Sequence, residues 1–356
     1  MDIKRTKVKG ILSKLFLALN LVCGALLLVS AYGGTANPAA WSWLVSATLA
    51  FPFLFAANAF MMLCWLVVFS RKWLWSFGVM LACTPALRTY CPVNFSQPVP
   101  KGCLKVETYN VFAFATTDEE GFKDMLEYLR TSDANIFCAQ EASCMKRYRD
   151  DVDDAMAHWR YRNDSAFGGL MICSDYPIVG SKVIGSPSAT HACVVYLVRV
   201  ENDTVAVVNG HFVSNAMSVK DKEAYRDIIL SPEEDSVKDD ALRLCRKVNK
   251  AGVDRAVQAD SLADYLETLG DMPIIVCGDF NDSPLSYVHH RLTRKLHDAY
   301  VASGNGPGIS YHRSGMFFRL DNILCSHHWR SFGAVVKKQL KMSDHYPVSA
   351  CLKRVE

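Results

Sequence analysis

Six places in this chain set acids, amides or imidazoles at the edge of an apolar run. Tyr109-Asn110 closes the run from Leu104, Gln140-Glu141 follows Ile136–Ala139, and Asn209-Gly210-His211 follows Val205–Val208. Gly278-Asp279-Phe280-Asn281-Asp282 follows Ile274–Cys277. Nearer the C-terminus come Arg319-Leu320-Asp321 and Ser343-Asp344-His345-Tyr346-Pro347. Carboxylate and amide oxygens are what a hard divalent cation takes, and such a cation keeps several of its waters. Glu141 and Asp344, with Asn110, offer that donor set. A histidine oriented by a carboxylate can take a proton near pH 7, and Asp321 with His345 could form that pair. Singly, each group has a plainer reading. Asn110 suits a turn, Glu141 a helix start, and His211 a structural histidine. Gly-Asp-Phe-Asn-Asp suits a surface turn and Asp344-His345 a strand cap. Six such groups in one chain are hard to explain as independent accidents.

Polar side chains at strand ends along one sheet edge make a cleft, so the runs must be strands. The expected strands are Leu104–Val111, Ile136–Ala139, Gly169–Cys173, Cys193–Val200, Val205–Val208, Ile274–Cys277, Leu320–Leu324 and Val348–Leu352. Each is short, apolar and bounded by turn or charge signals. Helical spacing marks Glu119–Arg130 and Asp239–Leu269, the latter through Leu242, Cys245, Val248, Val253, Val257, Leu262 and Leu266. Strands with interspersed helices predict one α/β domain, two packed sheets with helices outside. The charged segment Ser214–Asp260, which includes Arg255 and Gln258, reads as a solvated helical face or as a wall of the substrate approach, the former slightly favoured. There is no internal repeat, no GxxxxGK[ST], no HExxH and no CxxC. Among the 13 cysteines, Cys138, Cys277 and Cys325 fall in apolar runs as small core residues. Cys91 and Cys103 flank a Pro-containing stretch and could pair if exported.

The N-terminal quarter is of a different kind. Leu15–Ser70 is 56 residues without Asp, Glu, Lys or Arg, and Trp73–Leu87 is a second uncharged run. That excludes a simple cytosolic enzyme and a disordered chain. A helix needs ~20 apolar residues to cross the hydrocarbon core. Spans are expected at about 11–32, 41–69 and 73–91, making 1–91 a membrane anchor, 92–100 a linker and 101–356 the catalytic unit. Up to Arg88 there are eight basic residues and one acid, which leaves 31 basic and 35 acidic residues beyond it, net −4. The acidic balance argues against non-specific duplex binding. Basic residues ahead of the first span and at Arg71-Lys72 place those segments in the cytoplasm. Three spans then put the catalytic unit outside, which in a bacterium is the periplasmic side of a multi-pass inner-membrane protein. An interfacial helix over 73–87 would instead leave it inside.

Taken in order, Asn110, Gln140-Glu141, Asn209-Gly210-His211, Gly278-Asp279-Phe280-Asn281, Arg319-Leu320-Asp321 and Ser343-Asp344-His345-Tyr346-Pro347-Val348 resemble the motif set of the endonuclease/exonuclease/phosphatase superfamily, over about residues 101–356. With the apolar spans ahead of it, the chain resembles the superfamily's membrane-anchored members of Bacteroidetes type. The resemblance implies a four-layer α/β sandwich, Mg²⁺ (or Mn²⁺), and hydrolysis of a phosphoester that is nucleic acid, lipid headgroup or soluble compound. It implies Glu141, Asp344 and Asn110 at the metal, and Asp321 orienting His345 as base. Asp279 and Asn281 position water and a phosphate oxygen, and His211 contacts phosphate or protonates the leaving oxygen. Asn110, Asn281 and His211 then face substrate. Gly210 and Asn322 depart from the commoner pattern, where Thr and Tyr are frequent, without removing a catalytic group. The lipid bilayer is the expected second partner, and no protein partner is expected. The competing reading is a non-catalytic phospho-ligand module, which the intact acid, amide and histidine set disfavours.

Overall fold

Side chains alternate faces along a strand, so a run such as Leu104–Asn110 sends its even-numbered residues one way and its odd-numbered residues the other. In the computed structural model, which describes residues 2–115, 118–165, 167–186, 188, 190–230 and 237–355, that alternation builds two six-stranded sheets packed face to face. After the N-terminal helices α1 (Asp2–Tyr32), α2 (Trp43–Leu49), α3 (Phe51–Val67), α4 (Trp73–Ala82) and α5 (Thr84–Tyr90), the chain enters β1 (Leu104–Asn110), α6 (Glu119–Thr131) and β2 (Ile136–Gln140). α7 (Arg149–Ala155), β3 (Tyr161–Asp164) and β4 (Met171–Ser174) follow. Next come β5 (Ile178–Ile184), β6 (Ala192–Val200), β7 (Asp203–His211), α8 (Val219–Leu230), α9 (Val237–Thr268) and β8 (Ile274–Asp279). α10 (Tyr287–Leu292), β9 (His297–Asp298), α11 (Ala299–Ser303), β10 (Asp321–Cys325), β11 (Trp329–Val336) and β12 (Val348–Arg354) complete the chain. The sheets run β11-β12-β1-β2-β4-β3 and β5-β6-β7-β8-β10-β9. Only the central pairs β1–β2 and β7–β8 are parallel, so both sheets are mixed.

Val106, Ile136, Cys138, Val207, Ile275 and Cys277 fill the seam between the sheets. The opposite faces bury Tyr109, Phe137 and Ala139 under α6 and α7, and Ala206, Val208 and Val276 under α9 and α10. The result is helix, sheet, sheet, helix. Cys138, Cys277 and Cys325 are core residues. Every cysteine carries a free thiol, Cys91 and Cys103 included, and Cys103 lies beside Cys351 of the neighbouring strand.

The N-terminal region departs from the expectation of about three spans. One helical stretch, Gly10–Thr35, is long and apolar enough to cross a membrane. The second expected span is a pair, α2 and α3, bent by 55° at Ala50–Phe51 ahead of Pro52. The third is the 10-residue α4, which breaks at Cys83 before Pro85. Proline removes a backbone donor and fits only a helix's first turn, so each proline restarts a helix where composition alone reads one span. The bundle is tied by Asn20, which accepts from Trp65 Nε1 and Ser76 Oγ at 3.0 Å, and by Lys72 Nζ donating to Ser13 Oγ at 2.7 Å.

The same helices rest on the α/β unit. Leu27, Ala31 and Phe51 form one apolar cluster with Leu285. Gly34 lies so close to that loop that a Cβ there would stand 1.9 Å from Leu285 O. Asn249 Oδ1, on α9, accepts from Ser46 N at 2.9 Å. The segment Ser214–Asp260 is therefore not simply a solvated face: α8 packs on α9, α9 carries the contact with the N-terminal helices, and Arg255 is fully buried.

Candidate active site

The strand period that makes the seam apolar also makes its rim polar. On β1 the residues facing the other sheet are 104, 106, 108 and 110, and on β8 they are 275, 277 and 279. Leu104, Val106, Ile275 and Cys277 lie inside the seam, while Asn110 and Asp279 occupy the last inward positions. Register then aligns the strand ends. Asn110 pairs with Gln140, His211 with Asp279, and Asp279 with Asp321. Gly278 allows that alignment, since a Cβ there would lie 1.9 Å from Gly210 O across the β7–β8 pair.

Two site residues leave the alternation through strained backbone. A strand continued past Gln140 would aim residue 141 outward. Instead Glu141 has φ +52, and its Oε1 accepts from Asn110 Nδ2 at 3.1 Å. Asn281 also has φ +52, its N–H donating to Asp279 Oδ1 at 2.8 Å and its Nδ2 to Phe212 O at 3.0 Å. Directly after Asn110, Phe112–Ala115 hold four positive φ values between 45 and 58. Left-handed non-glycine residues cost of order 1–3 kcal/mol each and cluster where function demands them.

Asp279 is the hub. Its Oδ2 lies 3.2 Å from Asn110 Nδ2, 3.6 Å from His345 Nε2 and 3.9 Å from His211 Nε2. His345 Nδ1 is bonded to Asp321 Oδ2 at 2.7 Å, which leaves Nε2 toward Asp279. His211 Nε2 is also 3.8 Å from Glu141 Oε1. Asn110, Glu141, His211, Asp279, Asp321 and His345 thus form one connected cluster, with Asn281 bonded to its edge. Asp344 stands apart: its carboxylate makes no hydrogen bond or ion pair among the described residues, and its main-chain oxygen accepts from His312 N.

Burial alone would push the His345 imidazole down, but the Asp321 and Asp279 charges outweigh it and hold it up at about 10. Burial pushes Asp321 up, with the His345 charge opposing and the Asp279 charge adding. The site is rich in uncompensated negative charge. Asp279, Asp321 and His345 offer ligand atoms all within 4.8 Å of one another, Asp321 Oδ1 is buried without a partner, and the Glu141 carboxylate is 40% exposed. The carboxylate oxygens of Glu141, Asp279 and Asp321 suit an oxygen-seeking divalent cation, while His345 Nδ1 is taken up by Asp321.

Several further residues support the cluster. Ser343 Oγ donates to Asn110 O at 2.7 Å and accepts from His345 N at 3.1 Å, fixing the last loop against β1. Ser310 Oγ accepts from Asp321 N, and the Tyr311 ring stands edge-on to His345 at 5.1 Å. Burial and the neighbouring His211 push the His191 imidazole down to about 4, and its Nε2 accepts from Ser214 N. Arg255 ties the loops after His211 and Asp279 together: it bonds Asp282 Oδ2 at 2.9 Å, Val213 O at 3.0 Å and Asn215 Oδ1 at 2.9 Å. Arg319, two residues before Asp321, is buried against Asp298 at 3.4 Å and donates to Thr89 O of α5.

Comparison with known proteins adds to this geometry. The sequence model of the Endonuclease/Exonuclease/phosphatase family matches residues 108–345, and that of a domain of unknown function matches residues 13–90. No curated protein matches the chain. Among solved structures, the catalytic domain of human Nocturnin with bound sulfate is 16% identical, with 72% of this chain and 97% of that chain covered and a TM-score of 0.50. Beta toxin from Staphylococcus aureus is 15% identical over 69% of this chain and 99% of that chain, TM-score 0.49. A mannosyl-6-phosphatase from Bacteroides thetaiotaomicron is 16% identical over 70% and 99%, TM-score 0.48.

Proposed function

The chain belongs to the endonuclease/exonuclease/phosphatase family, and from that premise we propose that it is a divalent-metal-dependent phosphoester hydrolase held at a membrane surface by its N-terminal helices. The observation that carries the reading is the line Asp321–His345–Asp279, at 2.7 and 3.6 Å, set at convergent strand ends beside Glu141, Asn110 and His211. Glu141, Asp344 and Asn110 are the proposed holders of Mg²⁺ or Mn²⁺, with Asp279 adjoining through Asn110. Such a cation would neutralise charge developing on the phosphoryl oxygens and offset the carboxylates that hold His345 up.

The chain's own groups divide the remaining tasks. Asp321 fixes the His345 ring through Nδ1, so that Nε2 is the atom that exchanges a proton with the attacking water. Asp279 receives the other face of that water's hydrogen-bond shell. Asn281, with one amide proton on Phe212 O, offers the other to a phosphate oxygen, and Asn110, whose amide protons reach Glu141 and Asp279, faces the substrate beside it. His211, within 4 Å of both Glu141 and Asp279, meets the leaving oxygen. The proposed units are residues 1–91 as anchor, 92–100 as linker and 101–356 as catalytic domain. The net charge of −4 beyond the anchor favours a lipid headgroup or a small soluble phosphoester over bulk duplex.

The experiment is a hydrolysis panel on the full chain in detergent with Mg²⁺, covering a chromogenic diester, plasmid DNA, sphingomyelin and sugar or inositol phosphates. Turnover of at least one phosphoester that stops in excess EDTA supports the proposal. No turnover of any, or turnover indifferent to EDTA, removes it.

A further inference from the structure

We propose that Asp271, His327 and His328 form a second metal site, for Zn²⁺ or a similar imidazole-seeking divalent transition metal, at the end of β8 and β10 remote from the acidic cluster. β8 and β10 are antiparallel neighbours. Asp279 faces Asp321 at one end, and Ile275 faces Cys325 at the other. Asp271 lies three residues ahead of β8, and His327-His328 follow β10, so the same strand pair brings these three residues together. At about 3.3 Å per residue the two ends are roughly 15–20 Å apart.

The distances match a coordination polyhedron better than a hydrogen-bonded pair. His327 Nε2 is 3.4 Å and His328 Nε2 is 3.3 Å from the same Asp271 Oδ1, and neither contact has hydrogen-bond geometry. The three ligand atoms all lie within 4.8 Å of one another. Ligands at ~2.0–2.1 Å from a tetrahedral zinc ion are themselves about 3.3–3.4 Å apart.

The ring of His328 is already oriented for such a role. Its Nδ1 sits 3.1 Å from Ser326 Oγ, and Ser326 Oγ in turn accepts from Ile274 N at 3.0 Å. An imidazole held through one nitrogen by a fixed polar partner presents the other as ligand, the usual outer-shell arrangement at metal-binding histidines. The group stands at the rim of a cavity of about 250 Å³ that Lys295 and Glu267 also line, so a fourth coordination position opens to water. Two imidazoles and one carboxylate select Zn²⁺, Ni²⁺ or Cu²⁺ over Mg²⁺, which wants oxygen ligands. Bound metal would tie the loop before β8 to the turn after β10 and leave the hydrolytic cluster untouched.

The test uses the full chain in detergent with excess Mg²⁺ to occupy the acidic cluster. Zn²⁺ alone is then titrated with equilibrium dialysis and thermal melting, and Co²⁺ with visible absorption. We expect the wild type to bind one more Zn²⁺ per chain than His327→Ala/His328→Ala. The wild type should also gain several degrees in Tm on adding Zn²⁺ and show the intense d–d bands of four-coordinate Co²⁺. Asp271→Asn, at a position 84% exposed, should fold normally and bind Zn²⁺ at least 10-fold more weakly. All variants should keep wild-type hydrolysis in Mg²⁺, so the outcome is separable from the proposed activity. Equal Zn²⁺ stoichiometry in wild type and double variant, or a Tm gain that survives both sets of substitutions, overturns the site.

Discussion

His345 stands between two carboxylates, with Asp321 at 2.7 Å on Nδ1 and Asp279 at 3.6 Å beyond Nε2. Replacing it by alanine removes acid–base assistance without touching Glu141, Asn110 or Asp344. Turnover should fall by about 10²–10⁴ while metal affinity changes little. Asp321→Asn should depress turnover by disturbing ring orientation and tautomer. Because the two act as a unit, the double variant should be far less impaired than the product of the single losses. Kinetics on variants of native circular dichroism decide it. Near-normal turnover in His345→Ala, or losses that multiply, would transfer the base role to Asp279. At this scale much was legible. Asn110, Glu141, His211 and Asp279 follow apolar runs, Asp321 and His345 stand just ahead of or at the start of one, and the fold gathers all six. Ser310, Tyr311 and His191 were not legible, and Ser343, although part of the last motif, carried no role of its own. A serine that holds two backbone groups and an aromatic ring on a histidine leave no spacing signal, because loops set those contacts rather than a strand period.

At the scale of elements, the N-terminal helices meet the α/β unit through a close backbone approach at Gly34 as well as through side chains such as Arg319 and Leu285. Gly34→Ala would drive a methyl group into Leu285 O, four residues past Asn281, whereas Gly78→Ala adds its methyl where nothing lies within 4 Å. Gly34→Ala should lower stability by about 1–3 kcal/mol, the cost of overpacking, and reduce turnover several-fold. Melting curves and kinetics indistinguishable between the two variants would show that the loop yields freely. Near the same seam, Asp298 bonds His289 at 2.9 Å and lies 3.4 Å from Arg319. Burial pushes its carboxyl up, but Arg319 and His289 outweigh that and hold it down at about 2. A depressed carboxyl stabilises the fold fully above its unfolded value near 4, and the contribution is lost as pH falls toward 2. Asp298→Asn should therefore flatten the decline of Tm between pH 4 and pH 2. An unchanged slope would mean that the folded and unfolded carboxyls titrate alike. The long apolar runs read correctly as strands. The sequence reading passed over β3, β5 and β9, which are short or partly exposed edge strands, and β11, a sheet-edge strand with exposed alternate residues. Charge density hid the role of α9, because its buried Arg255 is chemically identical to an exposed one until Asp282 is seen beside it.

For the molecule as a whole, composition separated the apolar quarter from the α/β unit but misjudged its helices, since hydropathy averages over the breaks ahead of Pro52 and Pro85. The proposed placement of the catalytic unit away from the cytoplasm has its own test. A periplasm-active reporter fused after residue 100 should be active and a cytoplasm-active one silent, and the reverse pattern would put the domain inside. The central claim is that the cluster at the strand ends hydrolyses a phosphoester with a bound divalent cation. It is tested most directly by Mg²⁺-dependent turnover of a chromogenic phosphodiester by the full chain, wild type beside Glu141→Ala. The account predicts activity that EDTA abolishes and Mg²⁺ restores, with Glu141→Ala lower by at least 10²-fold at saturating wild-type metal. Full activity in EDTA, or wild-type turnover from Glu141→Ala, would contradict it.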